Sequence, residues 1–199
     1  MKKLLGILVL GLFLITPSQA DDARDFEIEG MSVGDSLLDY VTKKEINEEK
    51  NSKYSLYYKN NKFVQIGYYK NLKNYDSVSV IFKPNDKNYK IYSLAGKIGF
   101  EKNISDCYLK KNEIVSELKD LFGSEVEIDS YERSHSADKT GKSKNNTTTF
   151  YFKSNKDGIA VSCYDWSEEI TKEKKWLDNL KVIINSEEFI NFLDNEQYN

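Results

Sequence analysis

Histidine is almost missing from this chain: His135 is the single imidazole in 199 residues. Serine triads and most zinc sites draw on histidine, so this scarcity narrows the accessible chemistry. Arginine is nearly as rare, with Arg24 and Arg133 standing against abundant Lys, Asn, Ile and Tyr, the usage an AT-rich genome encodes. The lysines alternate with Asp and Glu, and the whole chain carries a net charge of −3. A surplus of acid argues against nucleic acid or an anionic membrane as partner. Cysteine is limited to Cys107 and Cys163. Neither lies near the N-terminus, so nothing points to a lipid anchor. Beyond residue 20 there is no apolar run long enough to span a bilayer, so no stable membrane insertion is expected.

The N-terminus has a clear pattern. Lys2 and Lys3 form a basic start, Leu4 to Ile15 a continuous apolar run, and Pro17 breaks it before Ser18-Gln19-Ala20. This succession predicts a cleavable signal peptide over 1–20, with cleavage after Ala20 and a periplasmic or secreted product. Loss of the leader removes Lys2 and Lys3 and no acid, making the mature chain more negative. In an oxidising compartment the even pair Cys107 and Cys163 suggests a disulfide.

Periodicity then predicts an α+β fold, with helices on antiparallel meander sheets. Ser32 and Asp35 resemble a helix start, with Leu37, Leu38 and Val41 on one face of a helix over 33–46. Strand-like alternation follows at 54–58, 63–68, 77–82 and 89–94. A long apolar stripe from Ile104 to Phe122, ended by Gly123, predicts a second helix. Further strands are expected at about 125–132, 147–153, 159–166 and 179–185, and a short helix from Glu187 to Asn195. The order suggests two halves, 21–100 and 101–199, each a helix plus a meander, in a possible tandem duplication. Separate sheets and one shared sheet both fit.

Three motifs invite a catalytic reading. Gly30-Met31-Ser32-Val33-Gly34 fits the G-x-S-x-G elbow, but the βαβ pattern that presents it is absent. Gly34-Asp35-Ser36-Leu37 spells the GDSL esterase signature, with Ser36 as nucleophile. That family's Asp-x-x-His has only Glu132-Arg133-Ser134-His135 as a counterpart, and its Gly-x-Asn-Asp block is missing. Without those oxyanion donors Ser36 lacks the electrostatic stabilisation that dominates acyl transfer. Ser136-Ala137-Asp138-Lys139-Thr140-Gly141-Lys142-Ser143 matches a phosphate loop except at its first glycine, but no apolar helix follows it. The surrounding polar segment 133–146 supplies candidate ligand-binding residues Arg133, His135, Asp138, Lys139 and Lys142. A solvated hairpin loop explains the same residues. Eight tyrosines between Tyr54 and Tyr92 suit either a binding face or cross-strand packing.

Two stretches quoted above, 30–40 and 136–143, together with Val161-Ser162-Cys163-Tyr164-Asp165-Trp166, resemble a group of uncharacterised secreted proteins of marine alphaproteobacteria. That resemblance implies a setting and no activity. Gly30-Met31-Ser32 entering a helix is also similar to the opening of BamE-like assembly lipoproteins, whose helix-plus-sheet shape the β-lactamase-inhibitor-like fold duplicates in tandem. This second likeness implies architecture alone. The reading that follows is an exported, non-catalytic binding or envelope-associated module. It would use no cofactor or metal and would have a protein, peptide or small-molecule partner in the cell envelope. The alternative is a small GDSL-type esterase using Ser36.

Overall fold

Alternating apolar residues build eight strands in the computed structural model, which describes residues 22–100 and 103–197. The expected signal peptide lies outside these residues. The strands are β1 (Leu56–Tyr57), β2 (Val64–Tyr68), β3 (Ser77–Phe82), β4 (Ile91–Gly99), β5 (Val126–Ser134), β6 (Lys144–Phe152), β7 (Gly158–Asp165) and β8 (Asn179–Asn185). They form one sheet in the order β1-β2-β3-β4-β8-β7-β6-β5, with every neighbouring pair antiparallel. The fold is α+β. Each half contributes a four-stranded meander, and the second is laid down in reverse order, so the two last strands meet at the centre. The β4–β8 seam runs from Ser93↔Asn185 to Gly99↔Asn179.

The four helices are α1 (Lys43–Lys50), α2 (Ile104–Phe122), α3 (Glu168–Lys174) and α4 (Glu187–Phe192). Helices α1 and α2 cover one face of the sheet, through Ile46 and through Cys107, Ile114, Val115, Leu118 and Phe122. The strand residues beneath them, among them Val80, Leu94, Phe150, Val161 and Val182, complete a core that crosses the seam. On the opposite face α4 covers one end. There Phe189 and Phe192 of α4 pack on Phe63, Ile81 and Tyr92. Cys107 and Cys163 are bonded, with Cα atoms 6.1 Å apart, and the bridge ties α2 to β7 inside the core.

Several expectations are corrected. No helix runs over 33–46. Gly34 turns the chain with φ of 102°, and a short 3-10 turn, Leu37–Asp39, follows. Helix α1 starts at Thr42, whose side chain and that of Glu45 form the reciprocal capping box. The first strand shrinks to two residues, because the chain turns on both sides of it, with Ser55 N–H donating to Ser52 O before it and Asn60 and Asn61 at positive φ after it. Helix α3 was not anticipated. It is capped by Ser167 and buries only Ile170, too little to leave a periodic trace. Strands β5 and β6 are longer than expected and reduce the polar loop to 135–143.

Candidate functional site

The end of the second face away from α4 is built from residues facing away from the core on β4, β8, β7, β6 and β5. Successive strand residues alternate sides, so Lys97, Lys181, Ser162, Thr147 and Tyr131 form one row across the sheet. The next row is Gly99, Asn179, Tyr164, Asn145 and Arg133. Thr147 and Ser162 share a hydroxyl hydrogen bond at 2.8 Å, and the Thr147 hydroxyl also donates to Asn145 Oδ1. Thr147, Ser162 and Asn145 are thus buried and bonded to one another.

Aromatic rings rise at the edge of these rows. Trp166 stacks on Tyr164 with centroids 5.9 Å apart and the planes 20° from parallel. His135 meets Trp166 edge-on at 4.5 Å, and Trp176 packs on Trp166 at 4.7 Å. The Trp166 backbone N–H donates to Asp178 Oδ1 at 2.7 Å, which fixes the turn that carries the ring. Both tryptophans of the chain therefore sit in one group, with Trp176 40% exposed.

Cations line the same group. Lys181 Nζ lies 4.4 Å from the Tyr164 ring centroid. Lys97 stands directly across the seam from Lys181, a like-charge cross-strand pair. Burial, with the Lys97 charge adding to it, lowers the Lys181 pKa to about 8. Among the described residues, the salt bridges include none to Lys97, Lys181 or Arg133. Burial, with the positive charges of Lys181 and Arg133, lowers the His135 pKa. Its Nδ1 accepts the Ala137 N–H at 3.1 Å, a bond only the unprotonated nitrogen can make. Asn179 Oδ1 is buried with no partner.

The five residues singled out in the sequence separate into different roles. His135 and Arg133 belong to this face, with the Arg133 guanidinium 4.5 Å above the Tyr131 ring at the sheet edge. Asp138 turns inward and closes the loop, accepting the backbone N–H and hydroxyl of both Thr140 and Ser143. Those bonds hold its carboxyl well below the usual range. They also occupy two of the backbone N–H groups that a phosphate loop would present. Lys142 pairs with Glu169 of α3 at 2.5 Å, and Lys139 is exposed. Lys181, Tyr164, Trp166 and Trp176 went unnoticed in the sequence. Alternation through 162, 164 and 166 places Tyr164 and Trp166 on one face, but only the strand order brings Lys181 beneath them.

Elsewhere, Ser36 is a cap. Its hydroxyl donates to Asn88 O at 2.7 Å and accepts the Leu38 N–H at 3.3 Å. The tyrosines of the first half are dispersed, with Tyr75, Tyr89 and Tyr92 buried and Tyr54, Tyr57 and Tyr69 exposed. An apolar crevice of about 270 Å³ opens between α1 and β2, lined by Leu37, Val41, Ile46 and Ile66. The Lys70–Glu45 ion pair lies at its rim, beside Glu48 and Glu49. Among the described residues no cluster of His, Cys, Asp and Glu could hold a metal, and no helix is long and apolar enough to cross a membrane. Comparison with family models, with curated proteins and with solved structures yields no match.

Proposed function

We propose that this chain is an exported, non-catalytic binding module, and that the cationic–aromatic end of its sheet takes an acidic peptide segment of an envelope partner. The observation that carries this reading is Lys181. A lysine only partly open to solvent, faced by a second lysine and left without a carboxylate, lowers the stability of the fold. A ligand carboxylate would supply the missing counter-charge. Tyr164, Trp166 and Trp176 add rigid contact area at low entropic cost, as aromatic anchors do in recognition surfaces. His135 braces the rings from the side.

The test uses the two tryptophans, both inside the proposed surface, as reporters. Titration with an oligoglutamate peptide should change intrinsic fluorescence in a salt-sensitive manner, while an oligolysine peptide should not. Lys181→Met should abolish that response and at the same time raise the melting temperature. An unaltered response in Lys181→Met, or no response to the acidic peptide, would reject this surface. Labelling of Ser36 by a fluorophosphonate probe, lost on His135→Ala, would instead favour the esterase reading.

A further inference from the structure

The sheet ends in two unlike edges. At one, β1 is only two residues long, which leaves little backbone to template pairing. At the other, β5 runs nine residues, Val126–Ser134, with nothing beyond it in the sheet order. Its residues are exposed except Val126 and the half-buried Tyr131, and even Ile128 is 45% exposed. We propose that β5 pairs antiparallel with β5 of a second copy of this chain, joining two sheets into one across a two-fold axis at Ser130.

The backbone sets the register. His135 N–H donates to Ser143 O at 2.9 Å, and Lys153 N–H donates to Glu125 O at 3.0 Å. Positions 125 and 135 therefore point their backbone groups toward β6, and antiparallel alternation sends those of 127, 129, 131 and 133 the same way. The even positions, 126 to 134, present N–H and C=O outward. Five evenly spaced donor–acceptor pairs lie along the free edge, with Ser130 at their centre. Only a register centred on Ser130 pairs all five with their symmetry mates. A shift to either side leaves outer pairs unmatched.

The side chains are compatible with the same register. Centred on Ser130, Glu127 of one copy lies opposite Arg133 of the other, twice by symmetry. Asp129 lies opposite Tyr131, next to the same guanidinium. Centring on Asp129 would set that carboxylate against its own copy, and centring on Ile128 would oppose Glu127 and Asp129, which like-charge repulsion disfavours. Arg133 is already laid along the Tyr131 ring, and neither it nor Glu127 forms a salt bridge within the described chain. The contact is isologous and closes on itself, as a two-fold interface requires.

The experiment is sedimentation equilibrium of the disulfide-intact protein and three variants. The wild type should be a reversible dimer. Arg133→Glu should weaken it by about tenfold or more, because two attractive contacts become repulsive. Glu127→Arg should do the same, and the double variant Glu127→Arg/Arg133→Glu should restore the wild-type constant. Ser130→Pro removes an outward N–H that no neighbour within the chain uses, so it should yield a folded monomer. A wild-type monomer at every concentration overturns the proposal. So does a dimer that both single reversals leave unchanged, or a double variant no tighter than either single one. The Lys181 titration concerns β8, three strands in from the β5 edge, so its result and this one fail separately.

Discussion

Lys181 couples stability to pH in a direction opposite to most paired lysines. Its pKa falls from 10.5 to about 8 in the folded chain, so between these values the unfolded state holds more protons. Stability should therefore rise as pH increases from about 8 to about 10.5, and the full cost of the charged amine is present below that window. Lys181→Met keeps the apolar stem and removes the charge. It should add about 2 kcal/mol at pH 7 and flatten the stability curve above pH 8, as read by urea unfolding at several pH values. Ser36 offers a contrast. Its hydroxyl caps a turn through the Leu38 N–H and anchors it to Asn88 O, so Ser36→Ala should cost about 1 kcal/mol by the same measurement. Peptide binding should be unchanged. The sequence places the cap at Ser32, four residues before the observed one at Ser36, and it gives no sign of the environment of Lys181, since a lysine between Leu180 and Val182 reads simply as the solvent side of a strand.

At the scale of elements, the legible parts were those with a strong period or a sharp stop. The stripe of α2, with Gly123 at φ 51° behind it, and the alternation of β3 and β8 lie where the sequence places them. The first helix was misplaced because Ser32 and Asp35 do interact, through the Ser32 N–H and Asp35 Oδ2 at 2.9 Å, yet close only a turn. The operative signal, Thr42-Lys43-Lys44-Glu45, lay outside the apolar run that was being read. Close approaches between elements left no trace in the sequence. Gly96 of β4 lies beneath the buried Tyr75 ring, and a Cβ there would meet ring carbon Cδ1 at 2.5 Å. Gly96→Ala should therefore cost about 2 kcal/mol in urea unfolding, through displacement of Tyr75. The disulfide was legible as a pair and as a helix-to-sheet tie, because both cysteines fall on inward positions of their elements.

At the scale of the molecule, strand order decides how the two halves communicate. Periodicity left one shared sheet and two separate sheets equally open, since each meander satisfies its own neighbours and nothing local marks β4 and β8 as partners. The seam joins them along all of β8 and from Ser93 to Gly99 of β4, and the apolar cluster beneath it draws on residues from Ala23 to Ile184. A core continuous across the seam leaves neither half able to open without exposing the other. The Cys107–Cys163 bond closes a loop wholly within the second half, and its loss should cost about 4 kcal/mol in the chain-entropy account. Independent halves would show that loss only in α2 and β5–β8. One cooperative unit must spread it, so amides of β2 and β3 should lose protection together with those of β6 and β7 when the bond is reduced. Hydrogen exchange on oxidised and reduced protein reads this directly, and unchanged protection in β2 and β3 would mean that the halves unfold as separate units despite the shared sheet.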